Sequence, residues 1–231
     1  MNPSDTSSSA AQIQRELSST LSSADASTAQ SIQNLQLVHQ ARLSRLSREA
    51  ATAKAQYGAK SPEAQQAEAA VVATTATVAR VSMLNLQMTT PAPQVSQTGW
   101  ALHGRVFNAQ LQPVSGYTVF LVDAEKNYQQ AYGFAYTDAT GYFLLNYAGS
   151  TGAKTRTQSR SRLAPSQAAT PAQLFIEVAN AKAQPVYLST SAFQPAAGSA
   201  TYQNVVLPSG EQPIGDPPDF IRKVAMPSET G

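Results

Sequence analysis

The 231-residue chain has no cysteine, which excludes disulfides and thiolate metal sites. It is poor in charge: 13% of residues are charged, against about 25% in an ordinary domain. The formal net charge is +2, so no strong field points to nucleic acid or to a membrane surface. No stretch reads as the roughly 18 apolar residues of a membrane span. The first ten residues, MNPSDTSSSA, have neither a basic region nor an apolar core of a secretory leader. A cytoplasmic protein without cofactor, nucleic-acid partner or membrane span is therefore expected, although export by another route remains open.

Other scarcities are local. Residues 1–90 contain one aromatic residue (Tyr57), one glycine (Gly58) and two prolines, Pro3 and Pro62. The remaining aromatics follow later, with most of the glycine and proline. The change falls at Thr89-Thr90-Pro91-Ala92-Pro93-Gln94, where two prolines oppose helix and favour an extended linker. The expected organisation is a disordered start over 1–10, an antiparallel helical hairpin over 11–90 and a linker over 91–97. A β domain over 98–208 and an extended Pro-rich tail over 209–231 complete it.

In the first part, Ile13, Leu17, Leu21 and Ala24 recur at helical spacing. Ile32, Leu35, His39, Leu43, Leu46, Ala50, Ala53 and Tyr57 continue it with one irregularity between His39 and Leu43. Gly58 sits where a helix-ending glycine belongs. Ser61-Pro62-Glu63 offers an N-cap, a proline suited to the first turn and an acid for the positive helix end. A second helix is expected over about 63–88, with Ala67, Val71, Thr74, Val78, Val81, Leu84 and Met88 on one face. Two helices with small side chains bury little. Association through 11–90, with a second copy or another protein, follows as an expectation, and with it a homo-oligomer resembling a coiled coil. His39 reads as an interface or core residue.

The second part reads as seven short strands: 100–107, 117–122, 131–137, 142–147, 174–178, 186–189 and 201–207. Polar turns separate them, Asp138-Ala139-Thr140-Gly141 being the clearest. The expected fold class is thus α+β and modular, a helical hairpin followed by a seven-stranded Greek-key sandwich.

Several residues carry a resemblance. Gly104 and Val106 are followed by Pro113 to Gly116, then Val119 and Leu121, then Thr137-Asp138-Ala139-Thr140-Gly141-Tyr142-Phe143. This pattern resembles the carboxypeptidase-regulatory-like, or transthyretin-like, domain family over about 50 residues. The resemblance implies a carbohydrate-binding-like sandwich and marks fold more than function. Related hydroxyisourate hydrolases use two histidines, an arginine and a C-terminal Tyr-Arg-Gly-Ser segment. Here His103 and Arg105 stand without a second histidine in the β half or that segment. Similar iron dioxygenases need two Tyr and two His, and the other histidine, His39, lies on a helix. No nucleophile with a neighbouring base is legible. A non-catalytic binding or structural head is expected. A glycan is the second reading, and a hydrolase pocket joining His103, Arg105 and a carboxylate the third.

Three groups of candidate contact residues remain. Trp100, Tyr128 and Tyr132 are candidate ligand-facing aromatics, although a lone Trp at a domain entrance also serves as a packing plug. Lys154, Arg156, Arg160 and Arg162 place four positive charges and no acid in a loop expected to be mobile over 149–171. Without interleaved aromatics they read as an anion contact or a solvated loop. Phe220, Ile221, Arg222 and Val224 form an apolar-basic island between prolines and are candidates for docking onto a partner or back onto their own domain.

Overall fold

The structure is a computed structural model that describes residues 4–149 and 173–216, residues 4–11 and 14 by their backbone. The candidate loop residues Lys154, Arg156, Arg160 and Arg162 and the candidate tail residues Phe220, Ile221, Arg222 and Val224 lie outside the described residues. The chain divides into two compact units, Met1–Pro91 and Ala92–Gly231. The first is helical and the second is built of two β-sheets, so the class is α+β.

The first unit holds α1 (Ser4–Tyr57) and α2 (Pro62–Thr89). At 1.5 Å per residue they measure about 80 Å and about 40 Å. Gly58 ends α1 at φ 84°, a conformation that costs glycine nothing. Its N–H donates to the Lys54 carbonyl at 3.1 Å. Ser61 Oγ accepts from the Ala64 N–H at 3.1 Å and caps α2. Side-chain links join the helices. Lys54 Nζ lies 3.4 Å from Glu68 Oε1, and Asn85 Nδ2 donates to Gln36 Oε1 at 3.0 Å. The earlier residue of α1 meets the later residue of α2, so the two run in opposite directions.

The contact seam is regular. On α1 the half-buried or buried residues are Ala29, Ile32, Gln36, His39, Leu43, Leu46, Ala50 and Ala53, in alternating steps of three and four. On α2 they include Ala64, Ala67, Val71, Thr74, Val78, Val81 and Asn85 at the same steps. Gln36 and Asn85 therefore take the places expected for Leu35 and Leu84, which are exposed. Their mutual hydrogen bond pairs Asn85 Nδ2 with Gln36 Oε1, while Asn85 Oδ1 is buried without a partner among the described residues. Tyr57 and Met88 are also exposed, at the helix ends.

The second unit contains β1 (Trp100–Phe107), β2 (Thr118–Val122), β3 (Phe134–Tyr136), β4 (Tyr142–Tyr147), β5 (Phe175–Ala179), β6 (Pro185–Leu188), β7 (Ser199–Tyr202) and β8 (Val205–Val206). One sheet has β1 at its centre, antiparallel to β4 and parallel to β7 and β8. The other is antiparallel in the order β3-β2-β5-β6. Eight strands stand among the described residues where seven are expected, because the last one is interrupted. The interruption falls opposite Gly104. A Cβ on Gly104 would run into the Gln203 carbonyl oxygen, while the Gln203 N–H donates to the His103 carbonyl at 2.8 Å. Only glycine lets the two backbones approach so closely.

Alternation along the strands sorts the core. Trp100, Leu102 and Val106 of β1, Val119 and Leu121 of β2, Phe143 and Leu145 of β4, and Ile176 and Val178 of β5 share one buried cluster between the sheets. The alternate residues of β2, Phe120 and Val122, belong to a second cluster with Ala179 and Ala183. The second sheet is thus apolar on both faces, and all of β2 is buried.

Four reversals share one turn chemistry. Asn108 Oδ1 accepts from Gln110 and Gln112 N–H at 3.0 and 2.9 Å. Asp123 Oδ1 accepts from Glu125 and Asn127 at 3.0 and 2.8 Å. Asp138 Oδ1 accepts from Thr140 and Tyr142 at 2.7 and 3.0 Å, and Asn180 Oδ1 from Lys182 and Gln184 at 3.0 and 3.1 Å. The fourth residue of each turn has positive φ: Leu111 59°, Lys126 65°, Gly141 72° and Ala183 61°. This is a type I turn followed by a left-handed residue, closed by an Asn or Asp side chain.

Candidate functional site

The outer face of the second sheet holds a group that its surroundings do not explain. On β5, Phe175, Glu177 and Ala179 point away from the shared core, and Glu177 stands across from Phe120 of β2 and Leu188 of β6. Glu177 is 6% exposed. A segment after β8 follows the β6 edge of this sheet and brings Ile214, Gly215 and Asp216 beside its outer face; two bonds hold it, the first on the core side. Tyr117 Oη donates to the Glu211 carboxylate at 2.8 Å, and the Ile214 N–H donates to the Pro185 carbonyl at 2.8 Å. Burial, reinforced by the Glu211 carboxylate, pushes the Tyr117 hydroxyl up to about 12.

Between segment and sheet lies a cavity of about 320 Å³ lined by Lys126, Asn127, Tyr128, Glu177, Leu188, Ile214, Gly215 and Asp216. A shallower hollow shares Lys126, Leu188 and Ile214 with it. Burial pushes the Glu177 carboxyl up to about 7, and the Lys126 charge opposes that shift. No hydrogen-bond donor among the described residues reaches the Glu177 carboxylate. Burial also raises the Tyr128 hydroxyl above its ordinary range.

The three aromatics singled out from the sequence part ways here. Tyr128 lines the cavity. Trp100 is 5% exposed and packs between Tyr132, Tyr147 and Phe193, with ring centroids 5.1, 5.8 and 5.3 Å away. It fills the core and offers no open face to a ligand, because β1 turns it inward with Leu102. Tyr132 is half-buried against Trp100 and Tyr147 and is equally occupied. Glu177 went unnoticed in the sequence, although a carboxylate between Phe175 and Ala179 in one outward row is a legible anomaly.

His103 and Arg105 do not open onto this cavity. His103 is buried between the rings of Tyr142 and Tyr202, and burial lowers its pKa. Arg105 donates to the Thr140 carbonyl and hydroxyl and lies over the Tyr142 ring. For Asp138, burial alone would raise the pKa, but bonds from Thr140 and Tyr142 and the Arg105 charge leave it lowered. This cluster closes the Asp138 turn. Among the described residues, no group of three or more His, Asp or Glu is placed to hold a metal ion.

The helical unit presents a second surface. Every side chain described between Gln12 and Thr28 is exposed. Ile13, Leu17 and Leu21 stand 55%, 59% and 64% open, and Leu35 and Val38 continue the row. Against the expectation from the sequence, α2 is by length and composition apolar enough to cross a membrane, with a mean hydropathy of 1.4 over 18 residues, and only 11% of that window is buried.

The chain matches no family model and no curated protein. Among solved structures it is similar to the dioxygenase domain of a dioxygenase and carbohydrate-binding protein fusion from Streptomyces sp. SirexAA-E, at 14% identity and TM-score 0.28 over 52% of this chain and 83% of that one. It is also similar to the major pilin subunit of Bacillus cereus, at 8% identity and TM-score 0.27 over 47% and 28%. A third is 3-chlorocatechol 1,2-dioxygenase from Rhodococcus opacus 1CP, at 14% identity and TM-score 0.27 over 51% and 66%. Likeness at this level carries no argument about activity.

Proposed function

We propose that this is a non-catalytic interaction protein. Its helical unit is a coiled-coil-like hairpin that joins copies of the chain, and its β unit is a Greek-key sandwich of the carboxypeptidase-regulatory-like kind serving as a binding head. The observation that carries the reading is the apolar surface of the helices. α1 outruns α2, and along that length Ile13, Leu17 and Leu21 have nothing beside them in the unit. α2 adds Val72, Leu84 and Met88, also exposed. Such a face lowers its free energy by about 25 cal/mol for each Å² removed from water.

A second copy fits this surface better than lipid does. The seam beside it carries Gln36 and His39, and α1 also presents Arg42, Arg45, Arg48 and Glu49. A bilayer would strip water from these groups, whereas a helical bundle leaves the charged ones at its rim. The carbohydrate reading of the head loses Trp100 and Tyr132 to the core and keeps Tyr128 at the cavity. The cytoplasmic setting belongs to the same proposal.

Sedimentation of the full chain over a range of concentrations tests the reading, alongside flotation with neutral and anionic vesicles. An oligomer that does not float supports it. A monomer at every concentration, or flotation of a monomer with vesicles, overturns it.

A further inference from the structure

The cavity on the outer sheet face has a chemistry of its own. An ionised carboxylate stripped of water costs several kcal/mol unless a cation or hydrogen-bond donors compensate it. Glu177 has neither in full. Lys126 lies near enough to favour its charged form, but the two make no ion pair of the kind that joins Lys54 to Glu68. Asp216 brings a second acid to the lining, so the acids outnumber the one lysine. Tyr128, Leu188 and Ile214 supply apolar and aromatic wall, and an aromatic face attracts a cation. The volume of about 320 Å³ falls at the small end of ligand cavities.

We propose that this cavity is a binding site for a small organic ammonium group, with Glu177 as its buried counter-ion. The inference deepens the reading of the β unit as a binding head and rests on it; it does not depend on association through the helices. The ammonium group would donate to the Glu177 carboxylate and supply the partner that the described residues do not. The attached carbon chain would lie against Leu188 and Ile214. A neutral alcohol of the same shape would leave the charge uncompensated.

Protons compete with such a ligand. Besides Glu177, the titratable groups facing the cavity are Lys126 and Tyr128 on the turn after β2 and Asp216 on the segment after β8. The cross-strand neighbours Phe120 and Leu188 carry no charge. Burial brings Glu177 into the neutral range, so its charge changes there.

Calorimetric titration of the full chain with n-butylammonium chloride, and with n-butanol as the neutral control, tests the site. Saturable binding of butylammonium is expected, at least about tenfold tighter than butanol. Affinity should fall about tenfold from about pH 8 to about pH 6 as Glu177 takes up its proton. Glu177→Gln should abolish the preference for the cation in a protein whose melting temperature is unchanged or higher. Equal affinity for the alcohol, no saturable binding, or full binding by folded Glu177→Gln overturns the proposal. Loss of binding with oligomerisation intact would remove this inference alone, whereas a monomer that binds butylammonium would remove the association and leave the site standing.

Discussion

In the helical unit the seam is made of Ala, Val, Thr, Leu and Ile32 with Gln36, His39 and Asn85 among them, and its buried residues are few: Ala50, Ala64, Thr74 and Val81. In the β unit Phe107, Phe120, Phe143, Leu102, Leu121 and Ile176 are fully enclosed. A side chain of that size contributes about 1.5–3 kcal/mol on burial, and a methyl group far less. The β unit therefore has the means to stand alone, while the helical unit leaves apolar length uncovered. The contrast is the ground on which association through the helices and recognition by the sheets are proposed. It also says which unit should respond to substitution within its own core.

The largest effect is expected at Gly104. Gly104→Ala drives a methyl group into the Gln203 carbonyl, backbone against backbone, with no flexible side chain to yield. A loss of about 3 kcal/mol or more from the β unit is expected. Followed by circular dichroism, the sheet signal should melt earlier while the helical transition stays put. A common shift of both transitions would break the separation drawn between the units.

Glu177 gives the next effect, and its sign depends on pH. Its carboxyl is raised from the ordinary 4.5 to about 7 in the folded chain. Between these values the folded state keeps a proton that the unfolded state releases, so stability falls as pH rises through this window. Glu177→Gln should remove that slope. The variant should be more stable than the parent by about 1–3 kcal/mol at about pH 8, a range reduced for screening at the cavity mouth. Near pH 4 the two should agree. Denaturant melts at both pH values check it, and a parent chain whose stability rises across the window contradicts the burial described.

A smaller gain is expected in the turns. Leu111 holds φ 59° in the first of the four matching turns, a conformation that costs a residue with a Cβ about 1–2 kcal/mol. Leu111→Gly should recover some tenths of that after the added flexibility of the unfolded chain and some lost burial. A urea midpoint that moves down instead would mean that the half-buried leucine side chain outweighs the backbone strain.

These particulars show how far the sequence could be read. Periodicity placed both helices because a stripe repeats over many turns, but it chose Leu35 and Leu84 where the seam takes Gln36 and Asn85. Each polar residue is unfavourable alone, and the pairing of Asn85 Nδ2 with Gln36 Oε1 across the helices offsets part of that cost. The Asp138 turn was legible from its own residues. Its three counterparts were less so, since Leu111, Lys126 and Ala183 do not advertise positive φ as Gly141 does. The interruption of the last strand depends on Gly104, a hundred residues upstream. Glu177 between the outward Phe175 and Ala179 was a legible anomaly, but the cavity it faces depends on Ile214 and Asp216, far along the chain. For Trp100 the sequence allows both a ligand-facing ring and a packing plug, and its direction on β1 decides for the plug.

The division of labour rests most directly on Ile13, Leu17 and Leu21. Sedimentation equilibrium of the full chain should be compared with that of the triple variant Ile13→Gln, Leu17→Gln, Leu21→Gln, in which helix propensity is kept and the apolar row is removed. The expected result is an oligomeric parent, a variant shifted to monomer by at least about tenfold in dissociation constant, and unchanged helical and sheet signals. A parent that is monomeric throughout, or a variant that assembles as tightly as the parent, contradicts the account.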